Sequence, residues 1–113
     1  VIGLATEITY IGGNQMAIIK ALELDNGITV SYHRISVIRS IVNNHINIEV
    51  LSYINKSKRE QEKKEIMNKE TRTVFIYTQF FILDFDPNFT LTDAYNYIKS
   101  LDQFKGSEDD PGE

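Results

Sequence analysis

The residues able to do chemistry are few, and cysteine is not among them. Its absence removes disulfides, thiolate catalysis and cysteine-ligated zinc together, and leaves the redox compartment open. His33 and His45 are the two histidines. With no carboxylates converging on them in the pattern, they make a poor metal pair. Neither has a recognisable partner with which to activate a serine or threonine. Asp84 and Asp86 share one strand face and Asp93 opens a helix nearby, so a divalent cation could sit among them. The spacing is not that of an EF-hand, however, and aspartates around Pro87 read more simply as caps. Gly12-Gly13-Asn14 lacks the following helix and lysine of a phosphate loop and reads as a turn. No catalytic, cofactor-binding or metal residue is assigned, and no cofactor is expected.

A basic cluster, Lys56, Lys58, Arg59, Lys63 and Lys64, could touch phosphates. Glutamates interleave with it and no aromatic side chain intervenes for base stacking. Nucleic acid is therefore not the expected partner. A small regulatory or nucleic-acid-associated protein working through residues 56–64 is the alternative to the main reading below.

These groups must be positioned by a chain of 113 residues, 42% apolar and 25% charged. That is ordinary for one soluble domain, long enough to bury a core without metal or disulfide staples. The run TVFIYTQFFIL, residues 73–83, has no charge, glycine or proline and is rich in β-branched and aromatic side chains. It reads as a strand apolar on both faces, with Phe75, Tyr77, Phe81 and Leu83 on one and Val74, Ile76, Phe80 and Ile82 on the other. Such a strand is usually covered on both sides, by a second layer or a partner chain.

Alternation over 16–24, then Asp25-Asn26-Gly27, then a return from Ile28 predicts a hairpin with a type I′ turn. Beyond Tyr32 the apolar parity slips, which predicts a β-bulge near His33-Arg34. Bulges can aim side chains, so an enzyme using His33 is a third reading; the plainer one places His33 on the surface of a curved strand. Residues 46–55 form the next strand after the Asn43-Asn44-His45 turn. Residues 56–72 read as a charged excursion, either an exposed helix opened by a capping box at Ser57 or a solvated hairpin tip. Favourable i,i+4 pairs there total only ~1 kcal/mol, so mobility is expected unless a partner packs on it. Pro87 ends the uncharged strand. Thr90 then caps a helix to about Phe104, with Asp93 at its third position and Leu91, Ala94, Tyr95, Ile98 and Leu101 on one face.

Residues 1–15 read as a possible arm with no secretory signal, since no basic segment precedes Glu7. The missing initiator Met points to trimming or to residues upstream of Val1. No run of apolar residues is long enough to span a membrane as a helix. Charge is segregated: residues 56–72 hold seven basic and four acidic groups, residues 84–113 two basic and eight acidic. The two could attract one another within a chain or between copies, although solvated surface is the commoner meaning. Residues 106–113 read as a disordered acidic tail.

Residues 52–65 (SYINKSKREQEKKE), 74–104 (VFIYTQFFILDFDPNFTLTDAYNYIKSLDQF) and 106–110 (GSEDD) together resemble small proteins encoded among the tail and baseplate genes of tailed bacteriophages and prophages of Gram-positive bacteria. The resemblance covers the C-terminal half and carries over no site residue. It implies a virion component made in the bacterial host cytoplasm, acting through contact with copies of itself and other virion proteins.

The expectation is thus one α+β domain over residues 1–105. An antiparallel meander of four or five strands, 16–24, 28–41, 46–55 and 73–84, carries helix 91–104 on a face. Its function is that of a non-enzymatic structural or interaction subunit. The expected contact residues are Phe75, Tyr77, Phe81 and Leu83, should the helix take the opposite face, plus Lys58, Arg59, Lys63 and Lys64.

Overall fold

β3 (Thr29–Ile41) is the spine of the sheet. One of its edges pairs with β4 (His45–Tyr53); the other is shared by β2 (Ala17–Glu23) and β1 (Ala5–Ile8). The computed structural model describes residues 5–8 as backbone, and residues 16–69 and 74–113 in full. The chain continues through α1 (Lys56–Met67), β5 (Tyr77–Asp84), α2 (Leu91–Ser100), a 3-10 turn (Asp102–Phe104) and β6 (Glu108–Asp110). All strand pairs are antiparallel, in the order β5-β4-β3-β2-β6, with β1 paired to β3. The fold is α+β, as expected. Thr73, at the head of the uncharged run, lies outside the described residues, as does the expected turn at Gly12-Gly13-Asn14.

The first face of the sheet holds the main core: Ile18, Ile38, Ile46, Ile48 and Val50, joined by Ala94, Tyr95 and Ile98 of α2 and by Phe104. α2 starts where the sequence places it. Thr90 Oγ1 accepts from the Asp93 amide at 3.1 Å while the Asp93 carboxylate accepts from the Thr90 amide at 3.0 Å. Each arm satisfies a donor the helix start would otherwise leave open. The Tyr95 hydroxyl accepts from the Ile35 amide at 2.9 Å and donates to the Met16 carbonyl, tying the helix to two strands. α2 ends at Ser100 rather than near Phe104, because Leu101 turns extended (ψ 145°) before the 3-10 turn buries Phe104.

Four details depart from expectation. The Asp25-Asn26-Gly27 turn has positive φ only at Gly27 (86°), so it is a three-residue loop ending in a left-handed glycine, not a type I′ turn. The β3 bulge falls between Ile35 and Val37, beyond His33-Arg34; Ser36 is the extra residue and its hydroxyl bonds Glu49 across the break. Helix α1 is capped by Asn55, not Ser57, because the Asn55 side chain reaches the Lys58 amide at 3.1 Å. Residues 106–113 are not a disordered tail. Glu108–Asp110 form β6 on the outer edge of β2, and Glu113 is buried.

Among the described residues, the second face is covered at one end only. There Ala17, Tyr32, Leu51 and Tyr53 form a smaller cluster, with Phe75 against it. α1 contacts β3 and β4 at this end. Where both faces are covered, β4 is buried at every residue from Val50 to Tyr53.

Candidate interaction surfaces

β5 is the edge strand of the sheet, with no strand on its outer side among the described residues. Its register with β4 runs unbroken from Ser52↔Tyr77 to His45↔Asp84, so no bulge twists the edge away. It has no proline and no charge before Asp84. Charges, prolines and bulges are the usual guards against edge pairing, and they are missing here.

The helix takes the face of Phe81 and Leu83, so the condition for their being open is not met. Phe81 stacks edge-on to Tyr97 with ring centres 6.2 Å apart, and Leu83 packs on the same core. Phe75 packs edge-on against Tyr53 on the other side, because the chain joins the β4 ladder only from residue 77. Tyr77 is 38% exposed and lines an open cleft of about 440 Å³ between the β2–β3 turn and β5. The open stripe is the neighbouring one: Phe80 is 58% exposed and Ile82 59%. Register places Phe80 beside Glu49 and Val37, and Ile82 beside Asn47 and Arg39, on the end of the second face that α1 does not reach. Asn47 Oδ1 in this patch is buried yet has no hydrogen-bond partner.

At the other end of that face, the expected excursion is folded down by charge. Glu62 and Glu65 are buried on α1. Arg34 Nε donates to the Tyr53 hydroxyl at 2.9 Å, which donates to Glu62 Oε1 at 2.5 Å. Arg59 Nη1 reaches the same Glu62 oxygen at 2.6 Å. Its Nε and Nη2 grip the Glu113 carboxylate at 2.9 and 2.8 Å. Lys63 Nζ (3.4 Å), Arg34 Nε (3.8 Å) and the Tyr32 hydroxyl (3.4 Å) surround that carboxylate. Tyr32 also donates to Asp110 Oδ2 at 2.8 Å, where Lys56 closes an ion pair at 2.9 Å.

Burial, then the bond to Asp110, pushes the Tyr32 phenol far above its ordinary value. Burial lifts Tyr53 to about 12 against the opposing charge of Arg34. Lys56 holds the Asp110 carboxyl below its ordinary value, and Asp110 raises Lys56 in turn. Burial alone would lower Arg59; its bonds to Glu113 and Glu62 and the charges of Glu113 and Tyr53 outweigh that and raise it. Of the basic cluster, Arg59, Lys63 and Lys56 are therefore engaged with carboxylates, while Lys58 and Lys64 face solvent. Sequence reasoning missed Glu62, Asp110 and Glu113 as the groups that organise this cluster. The one signal was the segregation of charge between 56–72 and the acidic end.

His33 is fully buried rather than on the surface. Its Nε2 donates to the Lys20 carbonyl at 2.7 Å, which makes Nδ1 the acceptor from Ser52 Oγ at 2.7 Å. Phe104 packs edge-on at 5.0 Å. Burial lowers its pKa, so His33 is a neutral core residue with both nitrogens satisfied. His45 lies apart, hydrogen-bonded to Asn44. Asp86 closes its own turn by accepting from the Asn88 amide at 2.9 Å, and Asp93 serves the helix cap. No group of three or more potential metal ligands converges among the described residues. Nor is any helix among them long and apolar enough to cross a membrane, which says nothing of strands.

Comparison with protein-family models, with curated proteins and with solved structures finds no match.

Proposed function

We propose that the protein is a non-enzymatic assembly subunit that joins copies of itself, and neighbouring proteins, through the β5 end of its sheet. One observation carries the reading: an unguarded edge strand with Phe80 and Ile82 open to solvent beside it. Two copies pairing antiparallel along β5 would satisfy the outer row of backbone groups and cover both stripes at once. The resemblance of the C-terminal half to tail and baseplate-region proteins makes a phage particle the natural setting, with other virion proteins as further partners.

Mass in solution tests this. Light scattering should report a multiple of the 13.0 kDa chain, and a Phe80→Lys/Ile82→Lys variant should revert to a single chain with unchanged circular dichroism. A wild-type chain that stays monomeric up to about 100 µM overturns the reading, since a contact weaker than that falls below about 5 kcal/mol.

A further inference from the structure

We propose that the recess walled by Arg34, Lys56, Arg59 and Lys63 is a receiver for an acidic peptide, and that its occupant, residues 106–113, is exchangeable with the same segment of a second copy. The inference is independent of the β5 surface. Its first ground is charge: the wall carries four cations against the carboxylates of Glu62 and of Glu60, which pairs with Lys63 at 3.6 Å, and the arriving segment supplies Asp110 and Glu113. The second is geometry. One carboxylate is held by both arms of a guanidinium and flanked by a second guanidinium, an ammonium and a phenol, with its side chain only 7% exposed. That is a built site for a side-chain carboxylate: Arg59 Nε and Nη2 both reach Oε1, at 2.9 and 2.8 Å, and Nε also reaches Oε2 at 3.2 Å.

The third ground is how lightly the occupant is otherwise attached. Residues 106–113 include no large apolar side chain. Apart from side-chain ion pairs and hydrogen bonds they are held by the backbone pairing of three residues to the edge of β2. The segment leaves the body of the protein at Gly106, whose φ of +79° is a left-handed conformation that other residues rarely adopt. Short edge strands tied by charge open far more readily than the core they lie on. An empty recess would strand Arg34 and Arg59 with Glu62 alone, so whatever vacates it must be replaced by another anion. In an assembly, residues 106–113 of a second copy would supply that anion. Exchange of one identical element between copies needs no new contact, only a new connection.

A fluorescein-labelled SEDDPGE peptide provides the test, read by anisotropy against the full chain. The wild-type chain should bind it at least tenfold more weakly than an Asp110→Asn/Glu113→Gln variant, whose own tail is weakened as a competitor. Adding Arg59→Ala to that variant should abolish binding, and a labelled SEDNPGQ peptide should not bind at all. If the double variant loses its circular dichroism, Glu113→Gln alone carries the same comparison. A folded variant with no saturable peptide binding below about 1 mM overturns the proposal. So does equal binding of both peptides, or capture of a single-stranded oligonucleotide in place of the peptide. Phe80→Lys/Ile82→Lys should leave the peptide result unchanged, which separates this site from the β5 surface.

Discussion

Two helices pack on one sheet by opposite means. α2 buries Ala94, Tyr95 and Ile98 among isoleucines and a valine of the first face, and its start is sealed by a reciprocal cap. α1 has no apolar stripe; its buried residues are Glu62 and Glu65, and its hold on the second face is a chain of guanidinium, phenol and carboxylate contacts. Apolar burial is non-directional and tolerates the loss of any one contact, whereas an ion network needs every partner present, and its more exposed members such as Lys56 weaken as salt rises. The sheet therefore has one permanent cover and one conditional cover. The two surfaces offered above as functional both lie on the conditional side or at the edge beside it.

That contrast can be broken from either end. The largest effect should come from Ile98→Ala, which opens a cavity in the main core: a loss of about 2–5 kcal/mol in urea unfolding, little changed between low and high salt. Arg59→Met keeps the bulk of the side chain and removes its fork. It should cost about 1–3 kcal/mol at low salt by leaving Glu62 and Glu113 with fewer donors. Its signature is local: amide exchange should quicken in α1 and β6 while α2 keeps its protection. Uniform quickening across both helices would erase the distinction.

The smallest effect is a titration inside the permanent side. The folded pKa of His33 lies below its ordinary value because burial disfavours the charged form. The unfolded chain thus takes up a proton as pH falls past about 6.5 and the folded chain does not. Stability contributed by neutral His33 is complete above that pH and declines below it, by at most about 1.4 kcal/mol per pH unit. Urea midpoints between pH 7.5 and 5 should show the decline, and His33→Gln should flatten it.

The same contrast explains what the sequence could reveal. α2 announces itself through Thr90, Asp93 and an apolar period matching a helix, all local signals. The hairpins are equally local. The fates of Glu62, Asp110 and Glu113 are not, because a charge carries no mark of whether its partner is water or an arginine dozens of residues away. Read alone, KSKREQEKKEIM looks solvated and EDD looks like a poor strand; each is held by the other's charge across the sheet edge. His33 was misplaced for a related reason. Its partners are the Lys20 carbonyl and Ser52 on flanking strands, and no sequence pattern displays a cross-strand bond. The uncharged run alternates between two faces only from Tyr77 onward; Phe75, expected beside Phe81 and Leu83, lies across the sheet on Tyr53, because the strand begins later than its apolar pattern does.

β6 is placed on β2 by residues that lie some ninety positions further along the chain. The outer rim of β2 therefore cannot close until residues 108–110 have been made, its partner strand being the most distant in sequence among the described strand pairs. The pairing with β6 is what keeps the backbone groups on that rim of β2 from serving as an open sheet edge.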